Sequence, residues 1–397
     1  MKKTLLISLV SVFVVGLVGL IGAAGAMPPT SNPSHQGQEK FIPGQILVKF
    51  IPGTSENVIA KVHQQHSASI IDRIPGIDAQ IVKVPAGQEL EAIAQYRKNP
   101  NVRYVEPDFV AQALLTPNDT YFSDQWGMSK VEAPLAWDVA TASAMTKIAI
   151  LDTGIDANHG DIKPKVVNEK NFTTRFRAND RNGHGTHVAG IAAAVTNNSK
   201  GVAGLGFNAA LMNVKVLGDN GKGSYSWVAN GIIWSADNGA KVINMSLGGS
   251  SASQTLEEAI NYAWSKGVVL VAAAGNDNTS APLYPAFYQN VIAAAATDQN
   301  DVKASFSNFG DWVDVAAPGV NIISTYPRKG WKDRYARMSG TSMSSPHVAG
   351  LAALVWETVY GADNLSVRNR IESTVDPLTD ISIGKGRINA ARAVGAK

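Results

Sequence analysis

Three short stretches of this chain carry residues that could act together on a carbonyl group. Ile150-Leu151-Asp152-Thr153-Gly154 places a carboxylate directly after an apolar run, with a glycine that permits a tight turn. Asn182-Gly183-His184-Gly185-Thr186-His187-Val188-Ala189-Gly190 sets an imidazole between two glycines, open to approach from both sides. Ser339-Gly340-Thr341-Ser342-Met343-Ser344-Ser345-Pro346-His347 offers a serine just ahead of a helix expected through Val348–Glu357, with Pro346 in its first turn. Free N–H groups and the positive dipole end at such a helix start favour developing negative charge. Taken alone, each stretch has an ordinary reading: Asp152 as a turn or capping residue, Ser342 as an N-cap. Taken together they supply a nucleophile, a base and a carboxylate that orients the base, which is what serine nucleophilic catalysis requires. Of the seven histidines, His35, His63 and His66 precede the large domain, leaving His159, His184, His187 and His347 as bases. His187 lies one helical turn beyond His184 and is expected to be structural, as is His347. Zinc is disfavoured, because neither H-E-x-x-H nor a third ligand cluster accompanies the histidine pair.

The elements that must position these residues follow from the apolar patterning. Lys147–Leu151, Leu211–Val216, Val242–Ser246, Val268–Ala274 and Val291–Ala296 read as short strands buried on both faces. They alternate with helical runs at Gly185–Val195, Ser226–Asn238 and Ser253–Lys266. The fold class is therefore α/β, a mostly parallel sheet covered by helices on both faces, over residues 116–397. In such sheets reactive groups gather where strands end and helices begin. Ahead of it, residues 41–112 read as β-α-β-β-α-β, a small α+β domain of ferredoxin-like pattern. About 70 residues make a marginal core, so this block is expected to lean on a partner surface. Met27–Lys40 is polar and Pro/Ser-rich, the composition of a linker. Residues 1–26 combine Lys2-Lys3, an apolar run from Thr4 to Ile21 and Ala24-Gly25-Ala26, the layout of a cleaved secretory signal.

The order Asp152…His184…Ser342, within DTG, HGTHVAG and GTSMSSPHVAG, resembles the subtilisin-type serine proteases. TPND near Thr116, AAVTNNSKGVAG and STYP bring it closest to the thermitase-like branch, and the block at 41–112 resembles that family's inhibitory propeptide. The resemblance implies a subtilisin-like fold and a catalytic set of Asp152, His184, Ser342 and Asn276, with Asn276 as oxyanion-hole donor beside the Ser342 N–H. It implies that Gly221, Lys222, Gly223 and Ser246, Leu247, Gly248 bracket an extended substrate. Ala273, Ala274, Gly275 and Leu283 would line the pocket for the residue before the cut, and Tyr225 a second apolar pocket. It also implies a calcium site built from Asp119, Asp161 and Asn198 side chains with the carbonyls of Val195, Lys200 and Val202. A weaker cation site would use the carbonyls of Ala286, Tyr288 and Val291 with Asp314. At Asn171–Asp180, where an acidic calcium loop is expected, Arg175 and Arg177 stand instead, so no third site is expected.

Composition bounds the partners. Among 397 residues there is no cysteine, which excludes disulfides, thiolate metal sites and a cysteine nucleophile. Charged residues make up 17% and apolar ones 45%, unlike a disordered chain. A formal charge of +3 is too small to imply nucleic-acid binding. The expected product is a secreted, extracellular monomer free of the membrane after signal cleavage. It would act on protein or peptide substrates, with its own propeptide as folding template and inhibitor. Bound calcium would replace the missing disulfides. Self-cleavage is expected within Ala111–Thr116.

Overall fold

The computed structural model describes residues 41–110 and 115–396. The expected signal at 1–26, the expected linker at 27–40 and most of the expected cleavage segment lie outside the described residues. Among the described residues no helix is long and apolar enough to cross a membrane.

The first block contains β1 (Phe41–Phe50), α1 (Glu56–Gln65), β2 (Ser69–Ile74), β3 (Ala79–Lys83), α2 (Glu89–Tyr96) and β4 (Val102–Phe109). Its antiparallel sheet runs in the order β2-β3-β1-β4, as the sequence predicts for a ferredoxin-like unit. Alternate residues of β1 (Ile46, Val48, Phe50) turn inward to meet Ile59 and Val62 of α1 and Ile93 and Tyr96 of α2. At the centre His63 is buried, bonded through Nδ1 to the Tyr96 hydroxyl and through Nε2 to Gln80 Oε1, both at 2.7 Å. Its pKa is lowered, chiefly because burial disfavours the charged imidazolium.

The large domain opens with two short helices, α3 (Trp126–Lys130) and α4 (Ala133–Trp137). It continues through β5 (Lys147–Asp152), β6 (Val166–Asn171), α5 (His184–Ala193), β7 (Ala210–Lys215), α6 (Tyr225–Asp237), β8 (Ala240–Met245), α7 (Gln254–Ser265), β9 (Val269–Ala273), β10 (Val291–Thr297) and β11 (Val315–Pro318). A hairpin, β12 (Ile322–Lys329) and β13 (Lys332–Met338), precedes α8 (Thr341–Trp356), α9 (Asn364–Ser373) and α10 (Ala390–Val394). Seven strands form one parallel sheet in the order β11-β10-β9-β8-β5-β7-β6. Side-chain alternation splits β5 between two cores. Ile148 and Ile150 pack with α5 and α8, whereas Ala149 and Leu151 pack with α6 and α7. The small residues of α5 and α8 (Ala189, Gly190, Ala349, Gly350) let these two helices and the sheet approach closely. Strand order turns back at β5, whose neighbours β7 and β8 lead away on opposite sides. In parallel α/β sheets the crevice at such a switch point is where ligands bind.

Candidate active site

Asp152 is the last residue of β5, at that switch point, and it is fully buried. One carboxylate oxygen accepts the Thr153 N–H at 2.7 Å. Both oxygens face His184 Nδ1, at 2.8 and 3.0 Å. His184 opens α5, and Gly185 after it is required by space: a β-carbon there would collide with the Gly154 carbonyl and crowd Asp152 Cβ. The helix start is tied down by Asp180, whose oxygens accept from Thr153 Oγ1, the N–H groups of Asn182, Gly183 and Thr186, and Thr186 Oγ1. Burial alone would lower the His184 pKa; the Asp152 charge and hydrogen bond outweigh it, with help from Asp180, and the net shift is upward. Nδ1 thus carries the proton toward Asp152, which leaves Nε2 as the free base.

His187 and His347 are buried neutral groups with pKa values pushed down to about 4, in both cases mainly by burial. His187 Nε2 reaches the Ile322 and Ala336 carbonyls at 3.1 and 3.0 Å, and His347 Nδ1 the Met343 carbonyl at 2.8 Å. Both are structural, as expected.

The serine segment differs from the sequence expectation in one respect. The helix α8 begins at Thr341, so Ser342 lies in its first turn and Pro346, expected in that first turn, lies inside the helix. Proline has no N–H to give the carbonyl four residues earlier, which is that of Ser342. The Ser246 hydroxyl supplies the missing donor at 2.8 Å, and it also meets Ser345 Oγ and the Asn244 side-chain amide. Sequence reasoning gave Ser246 only a substrate role; this second role needs the fold to bring the end of β8 beneath α8. The Ser342 hydroxyl donates to the Ser246 carbonyl at 3.3 Å, and no hydrogen bond joins it to His184. Unliganded catalytic serines commonly sit this way, and the bond to the base tightens when substrate binds.

Asn276 follows β9. Its Oδ1 accepts both the Thr341 N–H and the Thr341 hydroxyl, at 2.8 and 3.0 Å, which fixes the amide so that Nδ2 is its free end. A β-carbon on Gly340 would lie 3.6 Å from both Asn276 Nδ2 and Ser342 N, so the two donors flank one position beside the nucleophile. Such a pair stabilises a tetrahedral oxyanion. Thr341, unnoticed in the sequence, is what orients it.

A cavity of about 440 Å³ runs from His184 and Asn182 along Gly221, Lys222 and Gly223 to Tyr225, with Ser246, Leu247 and Gly248 opposite. Seven of the sequence-proposed substrate residues thus converge on His184. Leu283 joins them from another loop, packed against both Gly248 and Gly275. Ala273 and Gly275 are nearly closed off from solvent. Ala274 departs from its expected pocket role, since its methyl is fully buried in a core cluster with Ala295, Val313 and Ile383.

Asp119 and Asp161, both buried, meet at the 195–202 loop. Asp119 accepts the Asn197 N–H at 2.7 Å; Asp161 accepts the Asn198 amide, the Val202 N–H and the Tyr335 hydroxyl at 2.8, 2.9 and 3.1 Å. Burial pushes both carboxyls up, and among the described residues neither has a cationic side chain in reach. A pair of desolvated carboxylates without a counter-charge fits a hard divalent cation. Among the described residues no three His, Cys, Asp or Glu side chains cluster, so amide and carbonyl oxygens must complete the shell. The second, weaker site expected at Ala286, Tyr288, Val291 and Asp314 has an arginine beside it. The Arg368 guanidinium pairs with Asp314 at 2.8 Å, binds the Gln289 carbonyl and pairs with Glu372, so the positive charge there is already built in. The Tyr288 carbonyl accepts from the Val291 N–H instead of standing free.

Comparison with known proteins agrees with this geometry. Residues 143–392 match the model of the subtilase family, and residues 28–108 that of the fervidolysin N-terminal prodomain. The chain is 43% identical over 367 residues to a thermophilic serine proteinase of Bacillus sp. (strain AK1), covering 91% of this chain and 90% of the relative. It is 52% identical over 283 residues to thermitase of Thermoactinomyces vulgaris, covering 70% and 99%. A solved protease structure from Pseudoalteromonas arctica superposes with a TM-score of 0.65 at 36% identity, covering 71% of this chain and 99% of that one.

Proposed function

The chain belongs to the subtilase family of serine endopeptidases and carries a prodomain, and from that premise we propose that it is an exported zymogen that frees itself by self-cleavage. The mature enzyme hydrolyses peptide bonds with broad specificity and a preference for apolar residues before the cut. What supports this reading is the Asp152–His184 pair at the cavity, together with Ser342 bonded to the carbonyl of Ser246, which lines the same cavity, and two N–H donors flanking one position beside Ser342. Asp152 holds His184 with Nδ1 protonated, and Nε2 takes the Ser342 proton as Oγ attacks the carbonyl. Asn276 Nδ2 and the Ser342 N–H receive the oxyanion. His184 then protonates the leaving amine and next activates water to release the acyl group. Gly221–Gly223 and Ser246–Gly248 pair with substrate backbone, a mode that makes little demand on side chains.

Asp119, Asp161, Asn198 and the Val195, Lys200 and Val202 carbonyls would hold calcium, between the amino-terminal segment and the 195–202 loop. The ion supplies structural stability, not chemistry. The ferredoxin-like block serves as template and inhibitor until the chain is cut within Ala111–Thr116. Export is supported by the sequence of residues 1–26. A Ser342→Ala precursor made in a protease-free host tests self-processing. It should keep its amino-terminal block; loss of the block from that variant would overturn autocleavage.

A further inference from the structure

His184 and Asn182 line the substrate cavity, and Asn182 also lines a second cleft of about 620 Å³. Four guanidiniums border this cleft: Arg177 and Arg181 from the segment before α5, and Arg328 and Arg334 from the β12–β13 hairpin. The hairpin is fastened to the catalytic segment, because the Tyr326 hydroxyl donates to the Asn182 carbonyl at 3.2 Å and the Arg334 guanidinium lies over the Tyr326 ring. Two carboxylates face the same space, and both are committed. Asp156 pairs with Arg328 at 3.3 Å and also accepts its backbone N–H. Asp180 is buried under the hydrogen bonds that anchor α5. Among the described residues Arg177, Arg181 and Arg334 have no acidic side chain within salt-bridge distance, and all three are exposed. The cleft therefore keeps a net positive charge that nothing in its own walls neutralises. Arg175, the other arginine of this loop, is paired with Asp219 at 3.2 Å and does not contribute; the same carboxylate lies near enough to Arg181 to offset part of its charge, though not within salt-bridge distance.

The position of the cleft gives this charge a use. His184 hands its proton to the departing amine, so the chain after the cut leaves past His184, away from Gly221–Gly223 and Ser246–Gly248. Beyond His184 and Asn182 lies the arginine cleft. We propose that it is a leaving-side subsite for acidic side chains: Glu or Asp shortly after the scissile bond is drawn toward Arg177 and Arg181, with Arg334 behind them. This rests on the endopeptidase reading and adds to it a preference on the side of the cut where no selection was assigned. Exposed arginine–carboxylate pairs each contribute modestly, so two together give about three- to tenfold in kcat/KM. Added salt must weaken the preference, since the groups are solvent-exposed.

The test uses internally quenched peptides identical before the cut and carrying Glu, Gln or Lys at each of the first three positions after it. They are assayed with the mature enzyme and its Arg177→Gln/Arg181→Gln variant at about 20 mM and about 500 mM salt, on either side of strong screening. Expected is a preference for Glu over Lys of at least about threefold at one or more positions, shrinking at high salt and collapsing toward one in the variant. Cleavage of the Gln peptides shows that each protein is folded and active. Equal cleavage of Glu and Lys peptides by the unmodified enzyme, or a preference that survives in the variant, overturns the subsite alone. Failure to cleave any peptide overturns the endopeptidase reading with it.

Discussion

The bond from the Ser246 hydroxyl to the Ser342 carbonyl gives the most discriminating structural prediction. Pro346 deprives that carbonyl of its helical donor, and Ser246 Oγ is the replacement at 2.8 Å. The same hydroxyl meets the fully buried Asn244 amide at 3.0 Å. Ser246→Ala therefore strips a partner from one half-buried carbonyl, one buried amide and the buried Ser345 hydroxyl. At about 1 kcal/mol or somewhat more for each group left unsatisfied, the loss should total about 3–4 kcal/mol. Pro346→Ala restores an N–H four residues after Ser342, so the carbonyl regains a helical partner whether or not Ser246 is present. In that background Ser246→Ala should cost about 1 kcal/mol less, because the Asn244 amide and the Ser345 hydroxyl are still orphaned but the carbonyl is not. The four proteins of this cycle are best made as Ser342→Ala precursors, which keep the carbonyl but cannot digest themselves, and compared by urea unfolding of the large domain. A cost for Ser246→Ala that is the same in both backgrounds, within about 0.3 kcal/mol, would refute the compensation argument.

Three further outcomes follow from the charges. Because Asp152 raises the His184 pKa above its ordinary 6.5, kcat/KM should be full at alkaline pH and fall as pH drops through a midpoint above 6.5; a midpoint below 6.5 contradicts the pairing. Chelation should speed thermal inactivation severalfold, and Asp161→Asn should abolish that sensitivity while inactivating as fast as the chelated parent; equal half-lives with and without chelator dispose of the cation site. In the first block His63 has a lowered folded-state pKa, so its contribution to stability is whole above the unfolded value of 6.5 and is lost as pH falls below it. The unfolding transition of that block, followed in the Ser342→Ala precursor, should shift down between about pH 7 and about pH 5, and His63→Gln should flatten the shift.

The parts of the fold that sequence revealed are those where burial leaves a simple pattern. Runs such as Val242–Ser246 and Val291–Ala296 are covered on both faces and read as continuous apolar strands. β1 alternates because one face meets α1 and α2. The strands that sequence missed lack such a pattern. β6 (VVNEKN) is a half-exposed sheet edge, β11 has four residues, and the β12–β13 hairpin is broken by Pro327 and rich in charge. The catalytic residues were legible because their motifs are local. What holds them was not. Asp180 clamps the start of α5, Thr341 turns the Asn276 amide, and Ser246 answers a carbonyl 96 residues away. Each of these is a hydrogen bond between segments whose adjacency only the fold decides. Arg368 likewise pairs with Asp314, 54 residues back, and that proximity leaves no trace in either local sequence.

The central claim is that Ser342, activated by His184, is the nucleophile. Mature protein is treated with a serine-directed phosphonylating reagent, and the modified residue is located by peptide mass while casein hydrolysis is followed in parallel. The account predicts one adduct, on Ser342, growing in step with the loss of activity and absent when His184 is replaced by Ala. Full activity in the presence of reagent, or inactivation with the adduct on any other residue, would contradict it.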